Sequence, residues 1–284
     1  MKSDLECLVC LLKQALNTAK IATEDKTLHR KVLDRVAEQI QRSNLELSPA
    51  LVSKPVYDIV SEVTGVKDPY KDLKHQTNLE ALSLLPELEK IVARANVPLD
   101  AALHLAVAGN IIDVGIGHAF DLKNDVQAIM RTKFTIDHTD AFKRELQSGR
   151  KLLFLGDNSG EIVFDRVLIQ ELLKRGIEVT FSVKSGPIIN DATREDAEQA
   201  GLTELVPVIE TGSNDIGIDF TRVSSEFEAA FYKADIIIAK GQGNFETCSD
   251  APGNIYFLLK AKCDVVAREL RVITGDIVFA HSPA

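Results

Sequence analysis

Hydrophobic positions recur at helical spacing through the first half of the chain and gather into short continuous runs in the second. Leu8 to Ala22 has helix-like apolar spacing, and His29 to Ile40 places Val32, Val36 and Ile40 four residues apart, as on one face of a helix. Ser3-x-x-Glu6 reads as a capping box, in which side chains satisfy the free N–H groups of a helix start. Ser48-Pro49 reads as an N-cap followed by proline at the first helical position, with Gly65 suited to the end of that helix. Leu73 to Ala95 reads as one long helix or two joined, since Pro86 lacks the N–H that a continuous helix needs. Leu99 to Ile116 is apolar nearly all round, which predicts a buried helix.

The texture changes at Ser148-Gly149. Lys151 to Leu155, Ile177 to Val183, Leu205 to Ile209 and Asp235 to Ala239 read as strands, the third weakened by Pro207. Cys263 to Ala267 and Ile273 to Ala280 are candidates for later strands, and Val163 to Lys174 and a segment from about Arg194 read as helices. Strand–helix alternation at this spacing predicts an α/β fold, a mostly parallel sheet with helices on both faces. The expected organisation is a helical domain over residues 1–148 and an α/β domain over residues 149–284.

Composition narrows the function classes. A chain of 284 residues makes one large or two modest domains. Lys and Arg number 33 against 42 Asp and Glu, a net charge of −9. That balance argues against nucleic acid, whose phosphates are held by basic residues, and against anionic membranes. Hydrophobic content of 45% fits a globular protein, and with no Trp the core must be mainly aliphatic. The N-terminus is charged from Lys2, and no apolar run approaches the roughly 20 residues that span a bilayer. The expectation is a soluble, cytoplasmic protein.

In open α/β sheets ligands bind beyond the carboxyl ends of the strands. The segments there are Gly156-Asp157-Asn158-Ser159-Gly160-Glu161, then Asn190-Asp191-Ala192-Thr193, then Thr211-Gly212-Ser213, and finally Lys240-Gly241-Gln242-Gly243-Asn244-Phe245-Glu246. Asp157, Asn158 and Asp191 offer the oxygen ligands a Mg²⁺-like ion accepts. Read alone, Asp157 and Asn158 equally suit a helix cap and a turn; the second Asn-Asp pair shifts the balance towards a site. Lys240 emerges from a run of isoleucines, placed to neutralise a phosphate oxygen or to end as an ordinary solvated lysine. Gly241 and Gly243 allow backbone N–H groups to approach an anion, and Glu246 is an acid, a base or a lysine partner. Gly-Gln-Gly-Asn is not GxGxxG, which weakens a dinucleotide-binding reading. Asn110 and Asp113 lie three apart on one helical face, facing the cleft or bonding between domains.

Cys7 and Cys10 also share one face, and a CxxC is redox-active, half of a zinc site, or simply buried core. Cys248 and Cys263 do not form a second CxxC. The histidines show no HxxxH spacing, and Gly-x-Ser-x-Gly is absent, so neither a histidine-based zinc hydrolase nor a serine hydrolase is expected.

Gly-Asp-Asn-Ser-Gly-Glu-Ile-Val-Phe-Asp (156–165) resembles the metal loop of the damage-control phosphatases, the family of domain of unknown function eighty-nine. Asn190 to Asp196, Ala239 to Thr247, and Ala108-Gly109-Asn110-Ile111-Ile112-Asp113 resemble its other signatures, in the expected order. Cys7-x-x-Cys10 looks like the mark of the prokaryotic branch. The resemblance implies a three-layer α/β/α, Rossmann-like core with an N-terminal helical domain, and a metal-dependent phosphatase acting between them on small phosphorylated metabolites. Such substrates include sugar phosphates and damaged or surplus cofactor intermediates. Carried over by position, Asp157, Asn158 and Asp191 hold Mg²⁺ or Mn²⁺, with Co²⁺ or Ni²⁺ as further options. Lys240, Glu246 and Asp113 then serve catalysis, and Asn110, Thr211, Gly241, Gly243 and Asn244 bind substrate. The alternatives are a Rossmann-like methyltransferase and a noncatalytic metal-binding protein.

Overall fold

The computed structural model describes residues 1–109, 132–147 and 149–282. Helices α1 (Leu5–Ala22), α2 (Lys26–Ile40) and α3 (Pro49–Thr64) pack around Leu11, Ala15, Val32, Val36, Val56 and Val60. The expected cap at Ser3 moves one residue on. The Ser3 hydroxyl donates to Leu47 O at 2.7 Å, which leaves Asp4 as N-cap, its carboxylate accepting from Glu6 N. Ser48 caps α3 as predicted, and Gly65 ends it in the left-handed region at φ 73°.

Helix α4 (Lys71–Arg94) is one long helix with Pro86 inside it, so the chain does not restart there. Leu85, Leu88 and Val92 bury themselves on either side of the proline, and this packing offsets the roughly 3 kcal/mol a mid-helix proline costs. Helix α5 (Pro98–Ala108) is buried along Leu99, Leu103, Leu105 and Val107, as its composition predicts; the rest of that predicted helix lies outside the described residues.

The sheet contains β1 (Ile136–Asp137), β2 (Lys151–Leu155), β3 (Glu178–Val183), β4 (Val208–Glu210), β5 (Ile236–Lys240), β6 (Ile255–Lys260) and β7 (Ile277–Ser282), in the order β1-β7-β6-β5-β2-β3-β4. All pairings are parallel except β6 with β7. Between and around the strands come α6 (Thr139–Glu145), α7 (Glu161–Leu173), α8 (Arg194–Gln199), α9 (Ser225–Lys233), α10 (Gly241–Cys248) and α11 (Asp264–Leu270).

Three sequence expectations are corrected here. Cys263 to Ala267 is not a strand: Cys263 is the N-cap of α11. The strand in that region is β6, a continuous apolar run buried on both faces, which carries no alternation to announce it. The third strand begins at Val208, because Leu205 and Val206 close a turn onto Leu202 O. Finally, β1 is a short strand within a stretch that reads as helical.

Alternation along β2 sends Leu152 and Phe154 to one face and Leu153 and Leu155 to the other. The first face is covered by α4, α5 and α7 and includes Phe164, Phe181 and Phe279; the second is covered by α9, α10 and α11 and includes Phe227, Phe231 and Phe257. The result is a three-layer α/β/α sandwich, and α4 and α5, from the first half of the chain, supply part of one outer layer.

Candidate active site

The chain leaves β2 for β3 and β4, then returns to β5 on the other side of β2. Loops therefore part at the carboxyl ends of β2 and β5, where an open α/β sheet forms its crevice. The loop after β2 carries Asp157 and Asn158, and the loop after β3 carries Asp191. Backbone bonds join them: Ala192 N donates to Asp157 O at 2.8 Å, Ser159 N to Asn190 O at 2.9 Å, and Asn158 and Asp191 form an antiparallel bridge. All three predicted ligands thus come together. Ile189 makes the turn into this loop at φ 44°, a costly conformation for a β-branched residue.

A third carboxylate, unforeseen from the sequence, completes the cluster. Glu161, the first residue of α7, is 5% exposed. Asn158 Nδ2 donates to Asp157 Oδ2 at 3.0 Å and to Glu161 Oε1 at 2.9 Å, so its amide steadies both acids. Burial, then Glu161 and Asp191, push the Asp157 carboxyl well above its ordinary range. Asp191 is pushed up to about 6, chiefly by burial, with Glu161 adding and Lys184 opposing. Lys184 Nζ lies 3.8 Å from Asp191 Oδ2. Gly241 at φ 77° makes the close approach possible: a Cβ there would fall 1.8 Å from Asp157 Oδ2.

Lys240 does not open to solvent. It is fully buried, with Nζ 2.6 Å from Asp165 Oδ1 and 3.5 Å from Glu161 Oε2. Glu161 and Asp165 stand four apart on α7, so both reach the end of β5. Burial alone would lower the lysine's pKa, but Asp165 and Glu161 hold it above the usual value. Lys240 is thus a counter-ion beneath the cluster.

Two more residues tie the site to the scaffold. Asn244 Nδ2 donates to Gly156 O at 3.1 Å and Lys240 O at 2.8 Å, joining the ends of β2 and β5. From α4, Asn78 accepts from Gly160 N at 2.6 Å and donates to Asp196 Oδ1 at 2.9 Å, a contact with no sequence signal. The Thr211 hydroxyl is engaged within its own loop, donating to Ser213 O at 3.1 Å. Asn110 and Asp113 lie outside the described residues; Gly109, just before them, is packed on Glu161, a Cβ there falling 3.1 Å from Glu161 Cα.

Glu246 stands apart from the acidic cluster. It accepts from Gln242 Nε2 at 2.9 Å and lines a cavity of about 390 Å³ with Gly243, Ile189, Ile216 and Lys262. Burial pushes its carboxyl up to about 7. Lys262 is exposed there, and its charge acts on both Asp157 and Asp191, pulling their pKa values down. Exposed and electrostatically coupled to both acids, Lys262 is better placed than buried Lys240 for the role the sequence suggested for that lysine.

The donors suit a hard dication: two carboxylates, one amide oxygen and a flanking carboxylate whose mutual repulsion a cation relieves. Among the described residues, no three His, Cys, Asp or Glu side chains are already gathered to hold a metal ion: Asp157, Asp191 and Glu161 share the crevice without closing on one point.

These features define a doubly wound α/β/α protein with an acidic oxygen-donor site at its switch point. The chain belongs to the family of the damage-control phosphatase ARMT1-like domain, which matches residues 3–278. It is 37% identical over 283 residues to the damage-control phosphatase PH1575 of Pyrococcus horikoshii, covering 98% of this chain and 97% of that one. A damage-control phosphatase of Archaeoglobus fulgidus is 35% identical over 286 residues, covering 98% of each chain. The crystal structure of the Pyrococcus horikoshii protein, a DUF89 family member, superposes with a TM-score of 0.93 at 36% identity and covers 99% of both chains.

Proposed function

We propose that this protein is a metal-dependent phosphatase that hydrolyses small phosphorylated metabolites, such as sugar phosphates or damaged or surplus cofactor intermediates. The observation that carries this reading is the convergence of Asp157, Asn158, Asp191 and Glu161 at the switch point, where burial and the Glu161 carboxylate raise the cost of ionising both aspartates. It is supported by membership of a family whose relatives are named phosphatases.

Asp157, Asn158 and Asp191 would hold Mg²⁺ or Mn²⁺, which supplies Lewis-acid polarisation of a phosphoryl oxygen when bound. The chain's own residues supply the rest. Asn158 fixes the carboxylates of Asp157 and Glu161 through its amide. Lys240 and Asp165 balance charge beneath them without touching substrate. Lys262 and the N–H groups at the start of α10, whose N-cap has no side-chain cap, would meet the phosphoryl oxygens of a bound ester. Water attacks phosphorus as the ester P–O bond breaks, and the leaving oxygen takes a proton. Asp113 is the proposed proton carrier, and Asn110 a substrate contact.

The test is phosphate release from a panel of sugar phosphates and cofactor intermediates, after chelation and again with Mg²⁺, Mn²⁺, Co²⁺ or Ni²⁺. Turnover that returns only with metal is expected; metal-independent turnover, or none on any ester, would overturn the proposal.

A further inference from the structure

The cavity beside Glu246 borders the acidic crevice, yet the reaction proposed above leaves it unused. Its lining comes from stretches far apart in sequence: Leu11 on α1, Pro49 at the start of α3, Ile189 and Ile216 in the loops after β3 and β4, and Val265 on α11. Leu11 is buried, but the other four stay partly exposed. The fold thus gathers apolar side chains around one space and leaves them uncovered, and covering such surface is favourable. At about 390 Å³ the space falls in the range of small-molecule pockets. Ile189 stands just before Asn190 and Asp191, and Gly243 lies in the first turn of α10, whose opening glycine packs on Asp157. Lys262, whose charge acts on Asp157 and Asp191, lines the cavity as well. Glu246, 6% exposed, sets the polarity of the inner wall. Gln242 Nε2 donates to Glu246 Oε1 at 2.9 Å, while Gln242 Oε1 accepts from Lys262 N at 3.1 Å. One glutamine therefore fixes the buried carboxylate relative to the segment that carries the exposed lysine.

We infer that this cavity receives the alcohol half of the phosphate ester, and that it selects esters with an apolar body and a neutral or cationic tail over esters carrying a second anionic group. The inference rests on the phosphatase reading of the adjoining crevice. Gly243 and Lys262 belong to both spaces, so a phosphoryl group held at Lys262 and the opening N–H groups of α10 leaves its ester oxygen at the cavity's edge. The carbon chain then covers Pro49, Ile189, Ile216 and Val265, and a hydroxyl or ammonium group on it finds an acceptor in the Glu246 carboxylate. A carboxylate or second phosphate would instead be brought against a buried carboxylate, a like-charge contact that costs heavily once water is excluded. Selection thus combines an attraction with a built-in repulsion. Glu246, which the sequence offered as an acid or base, becomes a specificity-determining residue that meets the leaving group away from the reacting atoms.

The test measures kcat/KM with Mg²⁺ on methyl, propyl and hexyl phosphate, then on 6-aminohexyl and 5-carboxypentyl phosphate. It is run at pH 8, where the Glu246 carboxyl, pushed up to about 7, is ionised. Each added methylene should raise kcat/KM about 2- to 4-fold, as burial of apolar carbon predicts. The amine should be preferred to the carboxylate by roughly 10-fold or more, and Glu246→Gln should reduce that ratio severalfold. Both esters are read on one preparation, so a partly folded variant leaves the ratio intact. A second readout needs no turnover. Cys10 is exposed and lines the cavity, so hexylphosphonate with Mg²⁺ should slow its alkylation by iodoacetamide severalfold, whereas methylphosphonate should not. Metal-dependent turnover that ignores chain length and tail charge, with Cys10 unprotected, would overturn the inference and leave the phosphatase reading standing. Protection of Cys10 by hexylphosphonate without turnover of any ester would overturn the phosphatase reading and support the cavity as the ligand's seat. A preference for the carboxylate tail, or an unchanged ratio in Glu246→Gln, would overturn the role given to Glu246.

Discussion

Lys240 and Asp165 show how single residues set the character of the site. Both are fully buried and 2.6 Å apart. Removing one partner strands the other's charge, so Lys240→Met should cost about 3–5 kcal/mol in denaturant unfolding. Combining it with Asp165→Leu should recover much of that loss, a coupling a double-mutant cycle reads directly. Gly241→Ala makes a different demand: its Cβ would overlap Asp157 Oδ2 and its φ of 77° disfavours any side chain. A stability loss of about 1–3 kcal/mol is expected from the backbone alone, with phosphatase turnover lost because the Asp157 carboxylate is displaced. Asp157, Asn158 and Asp191 were legible because chemistry follows the carboxyl ends of parallel strands, which local pattern reveals. The burial of Lys240 was not, because it depends on Asp165 standing one turn beyond Glu161 and facing β5, a register between elements about 75 residues apart. Glu161 and Lys262 were missed for the same reason.

At the scale of elements, the loops after β2 and β3 are held by backbone bonds to each other and by Asn78 from α4. Asn78→Ala leaves Gly160 N and Asp196 without their buried partner, a cost of about 1–3 kcal/mol. The same variant should weaken divalent-cation binding by calorimetry, because Gly160 lies in the loop that carries Asp157 and Asn158. A helix so distant in sequence reaching the loop of Asp157 and Asn158 could not be read from periodicity, which reports only that α4 has a buried face. Periodicity did identify α1 to α5, α7, α8 and most strands; it passed over α6 and α9, and the glycines of α10 read as a loop. It failed at β6, where burial on both faces erases alternation, and at Cys263 to Ala267, where β-branched residues follow a helix cap.

Over the whole molecule, the excess of acidic residues, −9 in net charge, is partly concentrated at one crevice. Asp191, held at about 6, and Asp165 and Glu246, each at about 7, have folded values above their unfolded ones. Protonation therefore favours the folded state: this contribution is full below about pH 4 and is lost as pH rises through about 6 to 7. Melting of the chelated protein should accordingly fall between about pH 5 and about pH 8, and Asp191→Asn should flatten that slope. Added Mg²⁺ or Mn²⁺ should raise the melting temperature most at the alkaline end, where the carboxylates are ionised and repel one another. A slope of opposite sign in the chelated protein would show that these acids are stabilised as anions by the scaffold itself. The same charge distribution should make an anionic ester a poor ligand of the chelated protein, which calorimetry with and without Mg²⁺ checks.

The central claim is that phosphate ester hydrolysis depends on a cation held by Asp157, Asn158 and Asp191. The measurement that tests it most directly is phosphate release by wild type and Asp157→Ala, each chelated and then resupplied with Mg²⁺ or Mn²⁺. Metal is expected to restore turnover to the wild type alone, with the variant folded and inactive. Full metal-dependent phosphate release by Asp157→Ala would contradict it.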